Sequence, residues 1–250
     1  MRQEGSKPMF TLKQGWRGAD VRRLQEALNR KLRPSPGLAT DGDYGPRTRA
    51  AVLRLQAANW LVEDGEAGPC TQNVAFDGEC EAPILHPVAL IPPPAAALCW
   101  AAGVAMMTRC TVQAVVARTP AELLAADGGL QDFIDIHDAR MEGGQRFAAA
   151  HGLAVRPPSP WSLKALRTAL YNGPLMFDML WDAKGYADGA GRPGHMVIVA
   201  GIRGDNDPSG RGTTLRILDP WPPNKGARSS VNFYKWVQGA SSRTCRVFQN

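Results

Sequence analysis

The sequence predicts an α+β protein in which a small all-α module precedes a larger domain of helices followed by an antiparallel sheet. Three observations support this class. Two segments near the N-terminus have helical periodicity, an apolar helical segment begins at Cys99, and short β-branched or aromatic runs follow Gly173. Helices that precede strands within one domain are typical of the α+β class. We expect the module over residues 10–80, a proline-rich arm over 81–97 and the larger domain over 98–250.

The module begins with two predicted helices. In ADVRRLQEALNRKL, Val21, Leu24 and Leu28 recur at the spacing of one helix face. In GPRTRAAVLRLQAANWL, Pro46 stands where the first turn of a helix accepts proline, and Leu55 lies on the apolar face. The intervening loop is rich in glycine, proline and aspartate. The pattern D-G-x-x-G-P-x-T occurs in ATDGDYGPRT and again in VEDGEAGPCT.

The arm and the larger domain differ in composition. Proline recurs along EAPILHPVALIPPPAAA, which predicts an extended, semi-rigid segment. The segment CWAAGVAMMTRC is apolar on nearly all sides, which predicts a buried helix. Further helices are expected around GGQRFAAAHG and, after a cap at Ser162, in LKALRTALYNG. The expected strands are PLMFDML, HMVIVAGI, TLRILDP, SVNFYKW and TCRVFQ.

Charge and hydropathy restrict the partners. The net charge is +6, but the basic residues are scattered and form no run with interleaved aromatic residues, so we expect no nucleic-acid partner. No stretch approaches about 18 consecutive apolar residues, which predicts no membrane span. The first residues, MRQEGSKPMF, have neither an apolar core nor a small-residue cleavage site. We therefore expect no secretory signal peptide.

Five cysteines leave at least one thiol unpaired if the others form disulfides. Cys70 and Cys80 enclose a short loop and could form a disulfide, and Cys110 with Cys245 is a second possible pair. Small oxidised domains often need such bonds. The alternative is a chain of five reduced thiols.

Three residues carry the predicted chemistry. Cys99 begins a predicted helix, where backbone N–H groups and the helix dipole favour a reactive thiolate. His195 follows Gly194 at the start of a strand and suits a proton shuttle at neutral pH. Asp219 ends the next strand and could fix the tautomer of the imidazole. This chemistry needs neither a metal nor a cofactor, and we expect none. We expect structural or surface roles for the other histidines, His86, His137 and His151.

The runs LCWAA, GHMVIVAG and LDPW around these residues resemble the bacterial papain-like cysteine peptidases, a superfamily that includes type III effector proteases and bacteriocin-leader peptidases. The resemblance covers about residues 83–250. It implies a papain-like fold and a cysteine hydrolase with Cys99, His195 and Asp219 as its triad. Trp100 and Gly194, next to the nucleophile and the base, are candidate substrate-binding residues.

One position departs from this family. Its members usually carry a glutamine shortly before the nucleophile that helps to form the oxyanion hole, and here the position is Pro93. Proline offers neither a side-chain amide nor an N–H. One such donor lowers the activation barrier by about 2.7–4 kcal/mol. Either the backbone N–H of Cys99 and another group therefore form the oxyanion hole, or the substrate is unusual, or the domain is degenerate.

The N-terminal module resembles the three-helix peptidoglycan-binding modules found on wall hydrolases. The resemblance covers about residues 10–73, and both D-G-x-x-G-P-x-T runs agree in register with it. It implies peptidoglycan as the ligand. Asp43, Tyr44 and Arg47, which lie within the first of these runs, are the candidate wall-contacting residues.

Together these features predict a cysteine amidase or peptidase that acts on peptidoglycan peptide stems. A wall-binding module without a signal peptide suggests an antibacterial effector delivered by a secretion apparatus such as type VI. Such a toxin would be made in the cytoplasm and act in the periplasm or cell wall of a target bacterium. We then expect an immunity protein and a secretion-apparatus component as partners.

Three alternatives stay open. The protein could be a papain-like protease that cleaves a protein target, with the module as a wall tether. It could be a catalytically degenerate wall-binding protein, an alternative that Pro93 favours. The same three residues could also support deamidation or transfer on a glutamine side chain.

Overall fold

The computed structural model describes residues 10–78, 81–131, 142–157, 159–180, 194–238 and 246–250. The chain divides into two compact units. The first comprises Met1–Pro83, Arg203–Thr214 and Ser230–Tyr234, and the second comprises Ile84–Ile202, Leu215–Ser229 and Lys235–Asn250. The α+β class is confirmed, because a helical N-terminal part precedes an antiparallel sheet.

Three helices form the core of the first unit: α1 (Ala19–Lys31), α2 (Pro46–Ala58) and α3 (Pro69–Phe76). The prediction for α1 and α2 is confirmed, and proline stands in the first turn of both α2 and α3. The sequence analysis missed α3, whose eight residues are too few to show a clear apolar period. The buried apolar side chains of this core include Leu12, Val21, Leu24, Leu28, Tyr44, Val52, Leu55 and Val74.

A buried glutamine holds the second D-G-x-x-G turn. Gln56 of α2 donates from Nε2 to Asp64 Oδ1 at 2.8 Å and to Glu66 O at 2.9 Å. Its Oε1 accepts from the backbone N–H of Gly65 at 2.9 Å. Gly65 has a φ of 71°, which a glycine adopts without steric cost. The side chain thus replaces the backbone partners that this tight turn lacks.

The first D-G-x-x-G turn is held in the same way by α1. Gln25 Nε2 donates to Asp41 Oδ1 and to Asp43 O, both at 2.9 Å, and its Oε1 accepts from the N–H of Gly42 at 2.9 Å. Each repeated sequence motif therefore corresponds to one helix–turn unit with its own buried amide.

We expect Gln56→Leu to lower the free energy of unfolding by at least about 2 kcal/mol, because it leaves the buried N–H of Gly65 without its acceptor. Urea denaturation followed by circular dichroism measures this change. Gln14→Leu, at an exposed position of the same unit, is the control and should change the free energy by less than about 0.5 kcal/mol. A similarly small effect of Gln56→Leu would show that the amide does not hold the turn.

Two later segments of the chain also belong to the first unit. Arg203 donates from Nη1 to Asn59 O at 2.8 Å, and its guanidinium lies 5.3 Å from the centre of the Trp60 ring. Asn73 of α3 donates from Nδ2 to Asp205 Oδ2 at 2.8 Å. These bonds are made by residues up to 144 positions apart in the sequence, so local periodicity could not predict them.

The helices of the second unit follow the expected order. They are α4 (Cys99–Thr108), α5 (Val112–Arg118), α6 (Glu142–His151) and α7 (Leu163–Asn172). Residues 100–107 of α4 are all buried, as its apolar composition predicts. The Ser162 cap on α7 is confirmed, since its hydroxyl oxygen accepts from the N–H of Ala165 at 3.1 Å. Helix α5, whose Thr111 cap binds the N–H of Ala114, was not predicted.

The strands are β1 (Ile84–Leu85), β2 (Ala154–Arg156), β3 (Leu175–Leu180), β4 (Gly194–Gly204), β5 (Thr213–Asp219), β6 (Ala227–Asn232) and β7 (Arg246–Gln249). The sheet has the order β2-β7-β3-β4-β5-β6, with β1 also paired to β4. The pairs β3–β4, β3–β7, β2–β7 and β1–β4 are antiparallel. The prediction of one strand over SVNFYKW is wrong in its second half, because α8 (Phe233–Gln238) begins directly after β6.

The proline-rich arm is extended, as expected, but its first part lies in the sheet. Ile84 pairs with Ile202 and Leu85 with Gly201, and the N–H of His86 donates to Ala200 O at 2.8 Å. A one-turn 3-10 helix, Ala96–Leu98, ends the arm directly before α4. The first part of the arm is thus hydrogen-bonded to β4, and its last part leads directly to Cys99.

The described cysteines are free thiols, so the disulfides proposed for Cys70 and Cys110 are not formed. The thiol of Cys70 donates to Arg211 O at 3.3 Å and accepts from Asn232 Nδ2 at 3.2 Å, and burial raises the pKa of this thiol. Cys110 Sγ lies 3.0 Å from Thr108 Oγ1. The remaining partners, Cys80 and Cys245, lie outside the described residues.

Within the described part of the chain, each helix alone is too short or too polar to cross a membrane. One bent pair, Ala96–Thr108 and Val112–Arg118, satisfies the length and composition criteria only when the two helices are joined.

Candidate active site

Cys99 is the first residue of α4, as the sequence predicts. Next to it, Trp100 is only 3% exposed, and its Nε1 donates to Gly128 O at 3.1 Å. Its ring contacts Phe147 edge to face, with ring centres 5.9 Å apart. Trp100 therefore anchors the start of the helix in the core, which corrects the expectation that it contacts substrate. The anchoring fixes the position of the Cys99 thiol at the first turn.

His195, near the start of β4, is 6% exposed and contacts Asp219 at the end of β5. The imidazole Nε2 lies 2.7 Å from Asp219 Oδ1. The same carboxylate oxygen accepts from the backbone N–H of Trp221 at 2.8 Å. Because an ionised carboxylate only accepts, Nε2 of His195 carries the hydrogen in this bond. The strand ends and the following turn thus fix both the acid and the tautomer of the histidine.

The side chain of Cys99 also acts on the ring of His195 and raises the pKa of that histidine. Since Nε2 is used by Asp219, Nδ1 is the nitrogen available to the sulfur. Burial lowers the pKa of His195, but the hydrogen bonds and charges of Asp219 and Cys99 outweigh it and raise this pKa to about 9. The imidazole is therefore protonated at neutral pH, which is the form that stabilises a neighbouring thiolate.

Pro93 lies buried in the arm that leads to Cys99. Its carbonyl oxygen accepts from the backbone N–H of Asn224 at 2.9 Å, in the loop that follows Asp219. Asn224 has a φ of 60°, in the left-handed region that asparagine tolerates better than most residues. This hydrogen bond joins the segment that precedes Cys99 to the loop that follows Asp219.

We expect Asn224→Val to lower the free energy of unfolding by at least about 1 kcal/mol more than Asn224→Gly. A β-branched residue is strained at a φ of 60°, whereas glycine is not, and both substitutions keep the N–H that binds Pro93. Chemical denaturation of the two variants measures the difference. Equal stabilities would show that the conformation at Asn224 does not hold this contact.

The structure also shows the positions of three other predicted site residues, Gly194, Asp43 and Arg47. Gly194 begins β4, opposite Leu180 of β3. In the first unit, Asp43 forms an exposed ion pair of 2.9 Å with Arg17, and Arg47 is exposed on α2.

Tyr44 is fully buried in the first unit, and its hydroxyl donates to Gly65 O at 3.0 Å. This corrects the expectation that Tyr44 contacts the wall. Of the other histidines, His86 Nε2 lies 2.7 Å from Leu170 O, and His151 Nε2 lies 3.0 Å from the hydroxyl of Thr119. Both have structural contacts, as expected, and His137 lies outside the described residues.

Sequence reasoning missed a buried carboxyl group in β3, the strand next to β4. Asp178 is 2% exposed, and burial raises the pKa of its carboxyl group to about 7 against the charges of Arg246 and His195. The signal in the sequence was an acidic residue inside the apolar run PLMFDML. Among the residues that the structure describes, His, Cys, Asp and Glu side chains form no group of three that could hold a metal ion.

A helix that begins at a cysteine, beside an antiparallel sheet whose strands bear a histidine and an acid at their ends, is the arrangement of the papain-like cysteine peptidases. Residues 82–238 match the family model of the papain-like cysteine protease AvrRpt2, and residues 17–74 match a peptidoglycan binding domain. The first match spans more than half of the chain. The protein belongs to the AvrRpt2-type family of papain-like cysteine proteases, with a peptidoglycan-binding domain before the peptidase domain.

Two relatives are similar to parts of the chain. The zinc D-Ala-D-Ala carboxypeptidase of Streptomyces albus G is 42% identical over 73 residues, which are 28% of this chain and 29% of that protein. The crystal structure of a Burkholderia AP3 phage endolysin aligns with 48% of this chain and 42% of that chain, at 30% identity and a TM-score of 0.26. The chain therefore spans less than half the length of each relative.

Proposed function

We propose that the protein is a cysteine amidase or peptidase that hydrolyses amide bonds in peptidoglycan peptide stems. The observation that carries the proposal is the contact of His195, near the start of β4, with Asp219 at the end of β5, at 2.7 Å between Nε2 and Oδ1. Cys99, the first residue of α4, also raises the pKa of this histidine. The peptidoglycan-binding domain over residues 17–74 supports the wall as the place where this chemistry occurs.

In the proposed reaction, the thiolate of Cys99 attacks the carbonyl carbon of the scissile amide and a C–S bond forms. The protonated imidazole of His195 gives its Nδ1 proton to the departing amine as the C–N bond breaks. His195, now neutral, then takes a proton from water, which attacks the thioester carbonyl. The C–S bond breaks, the stem leaves as a carboxylic acid that gives its proton to solvent, and the thiolate–imidazolium pair is restored.

Asp219 has two proposed roles in this cycle. Its Oδ1 accepts from Nε2 of His195 and so directs Nδ1 toward the sulfur. Its charge stabilises the imidazolium that the first step consumes and the last step restores. The oxyanion donor is proposed to be the backbone N–H of Cys99, at the start of α4, because Pro93 offers no donor.

The peptidoglycan-binding domain is proposed to raise the concentration of substrate at the peptidase domain. Binding to an insoluble polymer keeps the enzyme near many stems, which increases the effective concentration without any new catalytic group. The exposed Asp43 and Arg47 stay candidate wall contacts.

The proposal is tested by incubating purified sacculi with the wild-type chain and with Cys99→Ala, followed by mass spectrometry of the soluble products. We expect the wild type alone to release stem fragments with new free amines and carboxylates. Intact sacculi after wild-type treatment, under conditions in which the protein is folded and bound to the wall, would contradict the proposal.

A protein target is the second candidate function, because the family match is to a papain-like cysteine protease. Cleavage of a polypeptide while sacculi remain intact supports this alternative, with the N-terminal domain as a wall tether. Equal toxicity of Cys99→Ala and wild type in a periplasm supports the third possibility, a wall-binding protein without catalysis. Conversion of glutamine side chains to glutamate, without chain cleavage, indicates deamidation.

The biological role that we propose is that of an antibacterial toxin exported by a secretion apparatus such as type VI and acting in the target periplasm or wall. The combination of a wall-binding domain with a peptidase domain supports it. Directing the protein to the periplasm with an added signal sequence should lyse cells, and an immunity protein from the neighbouring gene should prevent lysis. Survival of cells that express folded wild-type protein in the periplasm contradicts this role.

A further inference from the structure

Residues 220–226 form the loop that directly follows the acid of the proposed triad, and we call them the acid loop. This loop contacts the proline-rich arm within the second unit. The backbone N–H of Asn224 donates to Pro93 O at 2.9 Å, and Nδ2 of the same residue lies 3.5 Å from Pro94 O. The acid loop therefore binds two consecutive carbonyl groups of the arm, shortly before the nucleophile.

A close approach at Gly226 adds a third contact between the acid loop and the arm. Gly226 has a φ of 62°, and a Cβ atom built on it would lie 3.1 Å from both Cδ atoms of Leu90 in the arm. The same Cβ atom would lie 3.1 Å from Asp219 O. Since carbon atoms in contact prefer separations of about 3.5–4.0 Å, the absence of a side chain at Gly226 allows Leu90 and the backbone of Asp219 to approach it this closely.

The acid loop also holds the carboxylate of the proposed triad. The backbone N–H groups of Lys225 and Gly226 donate to Pro222 O at 3.2 and 2.8 Å, which closes the loop into a turn. The N–H of Trp221, at the start of the loop, donates to Asp219 Oδ1 at 2.8 Å. Because one short turn carries the donor to the carboxylate and the donors to the arm, a displacement of the turn changes both sets of contacts.

The last part of the arm connects these contacts to the nucleophile. Its three consecutive prolines have φ values fixed by their rings, and no glycine follows them before Cys99. The one-turn helix Ala96–Leu98, in which the N–H of Leu98 donates to Ala95 O at 3.1 Å, then leads directly into α4. An arm of this stiffness, held near its end, fixes the place at which α4 begins.

We propose that the acid loop sets the separation of Cys99 and Asp219 around His195, with Gly226 as its positioning residue. The inference rests on the proposed function, since those three residues carry out that reaction. Gly226 does not touch the substrate in this proposal. It acts by letting the arm and the acid approach one turn, so that the thiol and the carboxylate keep fixed distances from the imidazole. The geometry matters because a misplacement of about 1 Å can cost about 10²-fold in rate.

Gly226→Ala tests this role with a matched control. The added methyl group requires Leu90 or the backbone of Asp219 to move by a few tenths of an ångström. Gly152→Ala is the control, because Gly152 of the same unit has a φ of 67° and a Cβ atom on it would meet no heavy atom within 4 Å beyond its chain neighbours. Both variants place alanine at a positive φ, but only Gly226→Ala displaces the acid loop or its contacts.

The readouts are kcat, KM and the titration of His195 in the free enzyme. Burial lowers the pKa of His195, whereas Asp219 and Cys99 raise it to about 9, so lengthening either contact should lower it. NMR of the full chain follows the ring signal, which the His195→Gln variant identifies by its absence. We expect Gly226→Ala to lower the midpoint by at least about 0.5 pH units and kcat by about tenfold, with KM within about twofold of wild type. Gly152→Ala should match wild type in all three measurements.

Leu90→Ala keeps the inference testable if Gly226→Ala does not fold. It removes the side chain of the arm that meets the acid loop and places no strain on Gly226. Leu85→Ala is its control, since Leu85 lies earlier in the arm and is 51% exposed. Leu90→Ala should lower the midpoint of His195 and kcat, and Leu85→Ala should change neither.

A folded Gly226→Ala or Leu90→Ala variant with the midpoint and kcat of wild type would overturn the proposal. The titration does not depend on hydrolysis, so the two proposals can fail separately. Unshifted midpoints in an enzyme that cuts peptidoglycan refute only the role of the acid loop. Shifted midpoints in a chain that does not cut peptidoglycan support that role and refute only the proposed function.

Discussion

Replacing Cys99 with alanine is expected to lower kcat/KM for soluble peptidoglycan fragments by at least about 10⁴-fold, because it removes the only atom proposed to bond covalently to substrate. Binding to sacculi should be unchanged, since the peptidoglycan-binding domain lies in residues 17–74. Release of stem fragments, measured by mass spectrometry, gives the rate, and sedimentation with sacculi gives the binding. A variant that binds the wall without cutting it would show that binding and hydrolysis belong to different domains of the protein.

Cys110→Ala is the matched control for this substitution. Both thiols are partly exposed, but Cys110 lies beyond the end of α4, with its Sγ 3.0 Å from Thr108 Oγ1. It has no place in the proposed cycle, so its loss should change kcat/KM by less than about three-fold. Residual activity of Cys99→Ala within ten-fold of wild type, with a normal unfolding transition, would contradict the assignment of the nucleophile.

The helices that sequence reasoning predicted well are those with strong local signals. Helix α1 has a continuous apolar face, α2 has proline in its first turn, and α7 has the Ser162 cap. Each signal acts within one or two turns of the chain and survives in the folded protein. Helix α3 also has proline in its first turn, but it lacks a continuous apolar face, since Gln72 and Asn73 are polar, buried and hydrogen-bonded.

The error at SVNFYKW has a physical reason. Aromatic and β-branched residues favour a strand, and Ser230 to Asn232 do lie in β6. The helix that follows is favoured by packing, since Phe233 is buried and the Trp236 ring lies 4.9 Å from Phe177 of β3. Tertiary contacts thus decide the structure where local preference for strand is weak.

The site residues also divide into those that local sequence signals predict and those whose positions depend on tertiary contacts. The order of Cys99, His195 and Asp219, each at the start or end of an element, predicted that they meet, and His195 Nε2 lies 2.7 Å from Asp219 Oδ1. The substrate contacts assigned to Trp100 and Tyr44 were read from their neighbours in sequence, and burial of an aromatic ring depends on elements far along the chain. The buried amides of Gln25 and Gln56 were missed for the same reason, although the repeated turn motif marked the place where they bind.

The second large effect is expected for Asp219→Asn, which keeps the shape of the side chain and removes its charge. Because the backbone N–H of Trp221 donates to Oδ1, an asparagine should keep its carbonyl oxygen at that position and still accept from Nε2 of His195. The orientation of the imidazole is then retained, and the stabilisation of the imidazolium is lost. We expect kcat/KM at neutral pH to fall by about 10²-fold, which corresponds to roughly 2–3 kcal/mol.

In Asp219→Asn, the alkaline limb of the kcat/KM profile should move to lower pH. Asp219 is one of the groups that raise the pKa of His195 to about 9 against the effect of burial. Without its charge the imidazolium loses its proton at lower pH, so the alkaline limb of kcat/KM moves from near pH 9 toward neutral pH. Initial rates measured from about pH 5 to about pH 10 at low substrate concentration locate this limb in the free enzyme.

Asp219→Ala distinguishes charge from orientation. Alanine removes the acceptor of both His195 Nε2 and the Trp221 N–H, so the imidazole loses its fixed tautomer as well as its counter-charge. We expect this variant to be slower than Asp219→Asn at every pH, by a further factor of about ten. Equal rates for the two variants would mean that charge alone accounts for the role of Asp219. An unshifted alkaline limb in Asp219→Asn would instead mean that the hydrogen bond, and not the charge, holds the proton on His195.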